Sequence, residues 1–148
     1  MPPIAGTVVR AVIAAGLRVE AVPGPCAAVA ALTASGLPTH EFHFLGFLPH
    51  KSGQRRRILE TLRGVPGTLV IYESPHRVAR LLGELAEVFP LRPVVLAREL
   101  TKKFEEYLRG TPAGLQALLL QRSIKGEFVV LVGDRDVVVD EPVAAPAT

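Results

Sequence analysis

Between residues 39 and 133, short apolar runs of strand character exchange regularly with longer runs of helical period, and this most constrains the fold. Residues 41–47 alternate polar and apolar side chains, as a strand with one covered face does. Residues 54–63 put Ile58, Leu59 and Leu62 on one helix face, with Ser52 or Gly53 available as cap. Residues 67–73 form a strongly apolar strand. Ser74 and Pro75 read as the cap and first position of a helix to Phe89, whose Val78, Leu81, Leu82, Leu85 and Val88 make one stripe. Residues 93–98 read as a buried strand and 104–110 as a short one. Residues 112–120 read as a helix and 127–132 as a last strand, ended by Gly133. Strands exchanging with helices specify an α/β fold.

The first 35 residues are too few for a sheet or core of their own. They predict a helix over 8–15 closed by Gly16, a strand over 17–22, a Pro23-Gly24-Pro25 loop, and an Ala-rich helix over 26–35 buried on most sides. The expected organisation is a remnant of an N-terminal cofactor-cleft domain at 1–38 and a C-terminal α/β domain at 39–133. An acidic, unstructured tail rich in Pro and Ala is expected at 134–148. That tail carries a net −3, so the other residues carry +6 against +3 for the whole chain. A basic body admits an anionic partner.

Several classes fall away. No long uncharged apolar run predicts a membrane span, and residues 1–10 lack a signal-peptide pattern. A single cysteine, Cys26, excludes a disulfide framework and fits a reducing, cytoplasmic setting. His40, His43, His50 and His76 show no ligand spacing, so no metal site is expected. The common phosphate-loop, dinucleotide, zincin and hydrolase motifs are absent.

The densest polar cluster is Tyr72-Glu73-Ser74-Pro75-His76-Arg77, where an apolar strand gives way to a helix. Ligands of α/β sheets bind at such strand ends, and helix N-termini favour anions; an ordinary helix start explains the same residues. Arg98-Glu99-Leu100-Thr101-Lys102-Lys103 ends another apolar strand and reaches the same sheet edge as Glu73 if the strands are parallel; a solvated charged loop is the alternative. Lys51 with Arg55, Arg56 and Arg57 suits phosphate binding or a solvated helix face; on a helix the three arginines fan over about 200°, so they cannot all be buried. Phe42, Phe44 and Phe47 read as core at strand spacing rather than as a base-stacking platform. Cys26 reads as a small packing residue, although a helix N-terminus can lower a thiol pKa.

Taken together, the segments Val22-Pro23-Gly24-Pro25, Ser35-Gly36-Leu37-Pro38, Phe44-Leu45-Gly46-Phe47-Leu48-Pro49, Tyr72-Glu73-Ser74-Pro75-His76-Arg77, Ala97-Arg98-Glu99-Leu100-Thr101-Lys102, Glu105-Glu106, Arg109-Gly110 and Lys125-Gly126-Glu127 resemble the ribosomal RNA small subunit methyltransferase I family of the tetrapyrrole methylase superfamily. The resemblance covers nearly all of 8–133. It implies S-adenosylmethionine-dependent 2′-O-methylation of a cytidine ribose in 16S rRNA of the small ribosomal subunit. It also implies a homodimer and two α/β domains flanking the cofactor. Carried onto this chain, cofactor contacts fall at Pro23, Gly24, Cys26, Tyr72, Glu73, Ala97, Arg98, Gly126 and Glu127. Cys26 stands where the family usually has serine, and the family's larger N-terminal portion, with Gly-rich loops, has no counterpart before residue 8. The expectation is therefore an N-terminally truncated chain with weak or absent cofactor binding. Deprotonating a ribose hydroxyl asks for a base or a cation. Glu73, Glu99, His76 and Arg77 are the first catalytic candidates, with Glu105, Arg98, Lys102 and Lys103 behind them. Lys51, Arg55, Arg56, Arg57, Lys102 and Lys103 are the RNA-binding candidates. A non-catalytic basic RNA-binding module and a small-molecule tetrapyrrole methylase are the alternatives.

Overall fold

The computed structural model describes residues 4–134. Its centre is a five-stranded mixed sheet. The strands are β1 (Phe42–Phe47), β2 (Thr68–Glu73), β3 (Val94–Arg98), β4 (Glu106–Gly110) and β5 (Phe128–Val132), in the spatial order β1-β2-β5-β3-β4. β1 pairs parallel with β2, whereas β5 runs antiparallel to both β2 and β3. β2 and β3 therefore point the same way. Glu73 and Arg98 both lie opposite Phe128, so the two polar clusters do share one sheet edge.

Strand alternation splits the core into two layers. Leu69, Ile71, Val94, Leu96, Phe128, Val130 and Val132 face α3 (Ser52–Thr61), α4 (Val78–Val88) and α5 (Pro112–Leu120). Val70, Val95, Ala97, Val129 and Leu131 face Ala28, Ala31 and Leu32 of α2 (Ala27–Ser35). The three central strands are covered on both faces, which is why they read as near-continuous apolar runs. α2 buries only the side carrying Ala28, Ala31, Leu32 and Ser35, not most of its surface.

Other sequence expectations need correction. Residues 17–22 form no strand; alternation alone makes no ladder, and no strand lies beside them among the described residues. The helix α1 (Ile4–Ala14) precedes them, ended by Gly16 at φ +69°. α4 starts at Val78, not Pro75. The Ser74 carbonyl accepts from the N–H groups of Arg77 and Val78, and Glu73 takes the Ser74 N–H, so 74–77 is a separate turn. Phe42, Phe44 and Phe47 are 42%, 54% and 68% exposed rather than core. β1 is an edge strand, and α2 packs chiefly on β2, β5 and β3. A bulge between Phe44 and Gly46, with Gly46 at φ +62°, shifts the alternation, so Phe44 pairs with Val70 and Phe47 with Tyr72 on one face. The acidic-tail expectation falls outside the described residues except at Asp134, whose Oδ2 accepts from the Gly67 N–H at 2.7 Å.

Candidate functional site

The shared edge opens into a cleft of about 440 Å³. Tyr72, Glu73, Ser74 and Pro75 line one wall; Ala97 and Leu100 line another. Phe128, Val129 and Glu127 close the floor, with Ala27 and Phe47 at the sides. Such a volume, mostly apolar with a few polar groups, is ordinary for a cofactor or small-molecule site, where cavities run about 300–1,000 Å³. Tyr72 is central. Phe44 and Phe47 meet its ring edge-on at 5.0 and 5.7 Å, and its hydroxyl accepts from the Ala28 N–H at 3.1 Å. That bond uses one orphan donor of the α2 N-terminus to join helix and sheet beside the cleft.

Glu73 ends β2 with its side chain buried. Oε1 accepts from Ser74 N–H at 2.7 Å and from Arg77 Nε at 2.8 Å; Oε2 is buried with no partner among the described residues. A buried carboxylate oxygen left unmatched beside a cleft is costly unless a ligand donor or water completes it. Glu99 is differently held. Its Oε1 accepts from the Glu127 N–H at 2.9 Å and from Lys102 Nζ at 3.2 Å. The Glu127 N–H, then Lys102, hold its carboxyl below the usual range, which makes it a weaker base than an ordinary glutamate. Lys102 is correspondingly raised by Glu99 and Glu127. Glu99 has φ +50° and Thr101 φ +64°, an uncommon backbone for residues other than glycine. Gly126, at φ +93°, makes room, since a Cβ there would sit 2.5 Å from Glu99 Cγ.

The other sequence candidates scatter. Tyr72, Glu73, Ala97 and Glu127 line the cleft, whereas Pro23, Gly24 and Cys26 lie on an exposed segment leading to Ala27. Cys26 is an exposed N-cap, not a packing residue. Arg98 donates from Nε to the Lys125 carbonyl at 2.6 Å and pairs with Glu106. His76 is exposed, and Arg77 is half-buried at the rim.

The basic group divides. Arg55 is 1% exposed and forks onto buried Glu84, so it is withdrawn from the RNA-facing set; the pair ties α3 to α4. Burial opposes ionisation of Glu84, but hydrogen bonds from Arg55 and Ser52 outweigh it and hold its carboxyl below the usual range. Arg56 is exposed and pairs with Glu87 at 2.6 Å; Lys51 and Arg57 are exposed. Lys103 lies 5.6 Å over the Phe104 ring. Sequence reading assigned no role to His50, which lies in the basic loop Pro49-His50-Lys51-Ser52-Gly53 after β1 and whose Nδ1 meets Arg77 Nη1 at 2.7 Å. Among the described residues, no three His, Cys, Asp or Glu side chains gather as a metal site, and no helix is long and apolar enough to cross a membrane.

The fold and cleft define a class: an α/β protein with a cleft at the strand ends of a mixed sheet, where such sheets bind ligands. The family model for tetrapyrrole (corrin/porphyrin) methylases matches residues 1–116, and the chain belongs to that family. It is 46% identical over 125 residues to ribosomal RNA small subunit methyltransferase I of Micromonospora olivasterospora, covering 84% of this chain and 40% of that protein. It is 51% identical over 127 residues to the protein of that name from Xylella fastidiosa (strain Temecula1 / ATCC 700964), covering 84% and 46%. The chain thus spans about half the length of the curated relatives it matches. A solved uroporphyrin-III C-methyltransferase from Thermus thermophilus, complexed with S-adenosylhomocysteine, aligns with TM-score 0.55 at 22% identity. That alignment covers 86% of this chain and 58% of the other.

Proposed function

We propose that the cleft is the C-terminal wall of an S-adenosylmethionine site, and that the chain serves methyl transfer to a ribose 2′-hydroxyl of small-subunit rRNA. The observation that carries this reading is the cleft at the common end of β2 and β3, where four residues expected at the cofactor, Tyr72, Glu73, Ala97 and Glu127, come together. The relatives at 46–51% identity bear the rRNA methyltransferase name and supply the substrate class. The residues present fit the cofactor: small Ala27 and Ala97 admit it closely, and Tyr72 and Phe47 offer ring surface. S-adenosylmethionine, when bound, supplies a methyl group already activated on a sulfonium.

The remaining work is positioning and proton removal. Glu73 is the preferred base, because the Glu127 N–H and Lys102 hold the Glu99 carboxyl below the usual range and make it a weaker proton acceptor. Arg77 holds Glu73 from the rim. Lys102, Lys103, Lys51 and Arg57 supply positive charge for the RNA, and a homodimer and cytoplasmic setting belong to the same reading. Glu73→Gln is expected to lower the methylation rate by about a hundredfold or more while leaving cofactor affinity within a few-fold. Glu99→Gln is expected to act mainly on binding. Equal rates for wild type and Glu73→Gln remove Glu73 as base.

A further inference from the structure

Two side chains meet beside Glu73, one of the residues that line the cleft. Arg77 donates from Nε to Glu73 and from Nη1 to His50 Nδ1 at 2.7 Å. A guanidinium has only donors and stays charged, so this contact fixes the histidine tautomer. Nδ1 accepts, and the ring proton sits on Nε2. His50 is exposed, and among the described residues nothing accepts from its Nε2. Arg77 likewise keeps Nη2, with a side chain 19% exposed. Lys51, next to His50, is exposed and pairs with no carboxylate among the described residues.

The loop carrying these donors is anchored from the core. Arg55 Nη1 donates to the carbonyls of Pro49 at 3.0 Å and His50 at 3.2 Å, while its Nε and Nη2 engage Glu84. Glu84 also accepts from Ser52 Oγ at 2.7 Å. One buried guanidinium thus fixes the backbone at Pro49 and His50, just before Lys51, the N-cap of α3. Donors held in place before a ligand arrives bind it without a further ordering cost. A planar guanidinium beside an imidazole N–H suits the oxygens of a phosphate ester, and Lys51, the next residue along the chain, adds a positive charge.

We propose that His50 Nε2, Arg77 Nη2 and Lys51 Nζ form a phosphate-ester subsite at the cleft rim, with Arg55 as its positioning residue. The subsite takes a backbone phosphate beside the ribose presented to the cleft; the identity of that ligand as RNA rests on the proposed function. It places an RNA contact on His50 and reassigns Arg55 from contact to support.

The test is a nitrogen-15 titration of the full chain, following the His50 ring nitrogens and the Arg77 Nε–H. The probes are inorganic phosphate and a short single-stranded RNA. Both are expected to shift these signals together. His50→Ala is expected to weaken RNA binding about tenfold, leaving S-adenosylhomocysteine affinity unchanged. Arg55→Lys cannot hold Glu84 and both carbonyls at once. It is expected to weaken RNA several-fold and to loosen the His50 tautomer toward a mixture, which a merely structural tie between α3 and α4 would not do. If Arg55→Lys does not fold, the Arg55→Met, Glu84→Leu pair takes its place, with the same expected losses. RNA binding equally to wild type and His50→Ala overturns the subsite and leaves the RNA reading standing. Phosphate shifts at His50 and Arg77 without any RNA binding uphold the subsite and end the RNA reading. Silence at His50 and Arg77 with both probes ends the subsite, and failure of RNA to bind by any signal ends the RNA reading as well.

Discussion

Replacing Glu84 by alanine tests the buried framework beneath the site. Arg55 is 1% and Glu84 3% exposed, and no other carboxylate is hydrogen-bonded to Arg55 among the described residues. The variant leaves the guanidinium in a dry site with only the Pro49 and His50 carbonyls on Nη1, and strips Ser52 of its acceptor. Breaking a buried pair by removing one partner costs about 3–5 kcal/mol. A domain of this size has about 5–15 kcal/mol in all. At roughly 2–4 °C per kcal/mol, the melting temperature should fall by about 10 °C. Denaturant unfolding followed by circular dichroism measures the loss directly. Replacing both partners, Arg55→Met with Glu84→Leu, should recover most of it, since an apolar pair of similar volume is often neutral or better. A Glu84→Ala cost below about 1 kcal/mol would refute the reasoning, because surface pairs fall in that range. So would a double variant as unstable as the single one.

Other outcomes follow from the same contacts. The folded-state pKa of Glu84 lies below its ordinary 4.5, so its contribution is present above that value and is lost as pH falls through the folded value. Glu84→Gln should therefore flatten the acid limb of a stability-against-pH curve; an unchanged slope assigns the limb elsewhere. Tyr72→Phe removes the acceptor of the Ala28 N–H and should cost about 1–2 kcal/mol, with faster hydrogen exchange at Ala28. Gly126→Ala combines φ +93° with a Cβ 2.5 Å from Glu99, and should displace the Glu99 carboxylate from the Glu127 N–H, seen as a shifted Glu127 amide signal. Phe47→Ala, at an exposed position, should change stability by less than about 0.5 kcal/mol while weakening cofactor binding; the reverse pattern would make Phe47 a core residue.

Residues whose environment is set by strand period were legible. Val70, Val95, Val129 and Leu131 stand in runs apolar on both faces, so their strands followed from pattern; the shared edge of Glu73 and Arg98 was conditional on strand direction, which pairing of both β2 and β3 with β5 supplies. What depends on a distant partner was not. Arg55 looks like any arginine of a basic run, and only Glu84, on another helix, shows it to be buried. The exposure of the Phe42, Phe44 and Phe47 face arises from an edge position and a bulge, neither of which alternation records. Residues 17–22 alternate well, yet a ladder needs a neighbour. At the start of α4, Glu73 takes the Ser74 N–H and Arg77 Nε, which moves the helix three residues on from Pro75. Of the cleft lining, Tyr72, Glu73, Ala97 and Glu127 were named by motif, whereas His50 stands out only through its contact with Arg77.

The central claim is that the edge shared by β2, β3 and β5 holds the cofactor. The most direct measurement is an amide chemical-shift titration of the chain with S-adenosylhomocysteine up to millimolar concentration, which reports weak binding residue by residue. The account predicts saturable shifts at Ala27, Tyr72, Glu73, Ala97 and Glu127, with α5 unaffected. Saturable shifts confined to the α3–α5 face would contradict it.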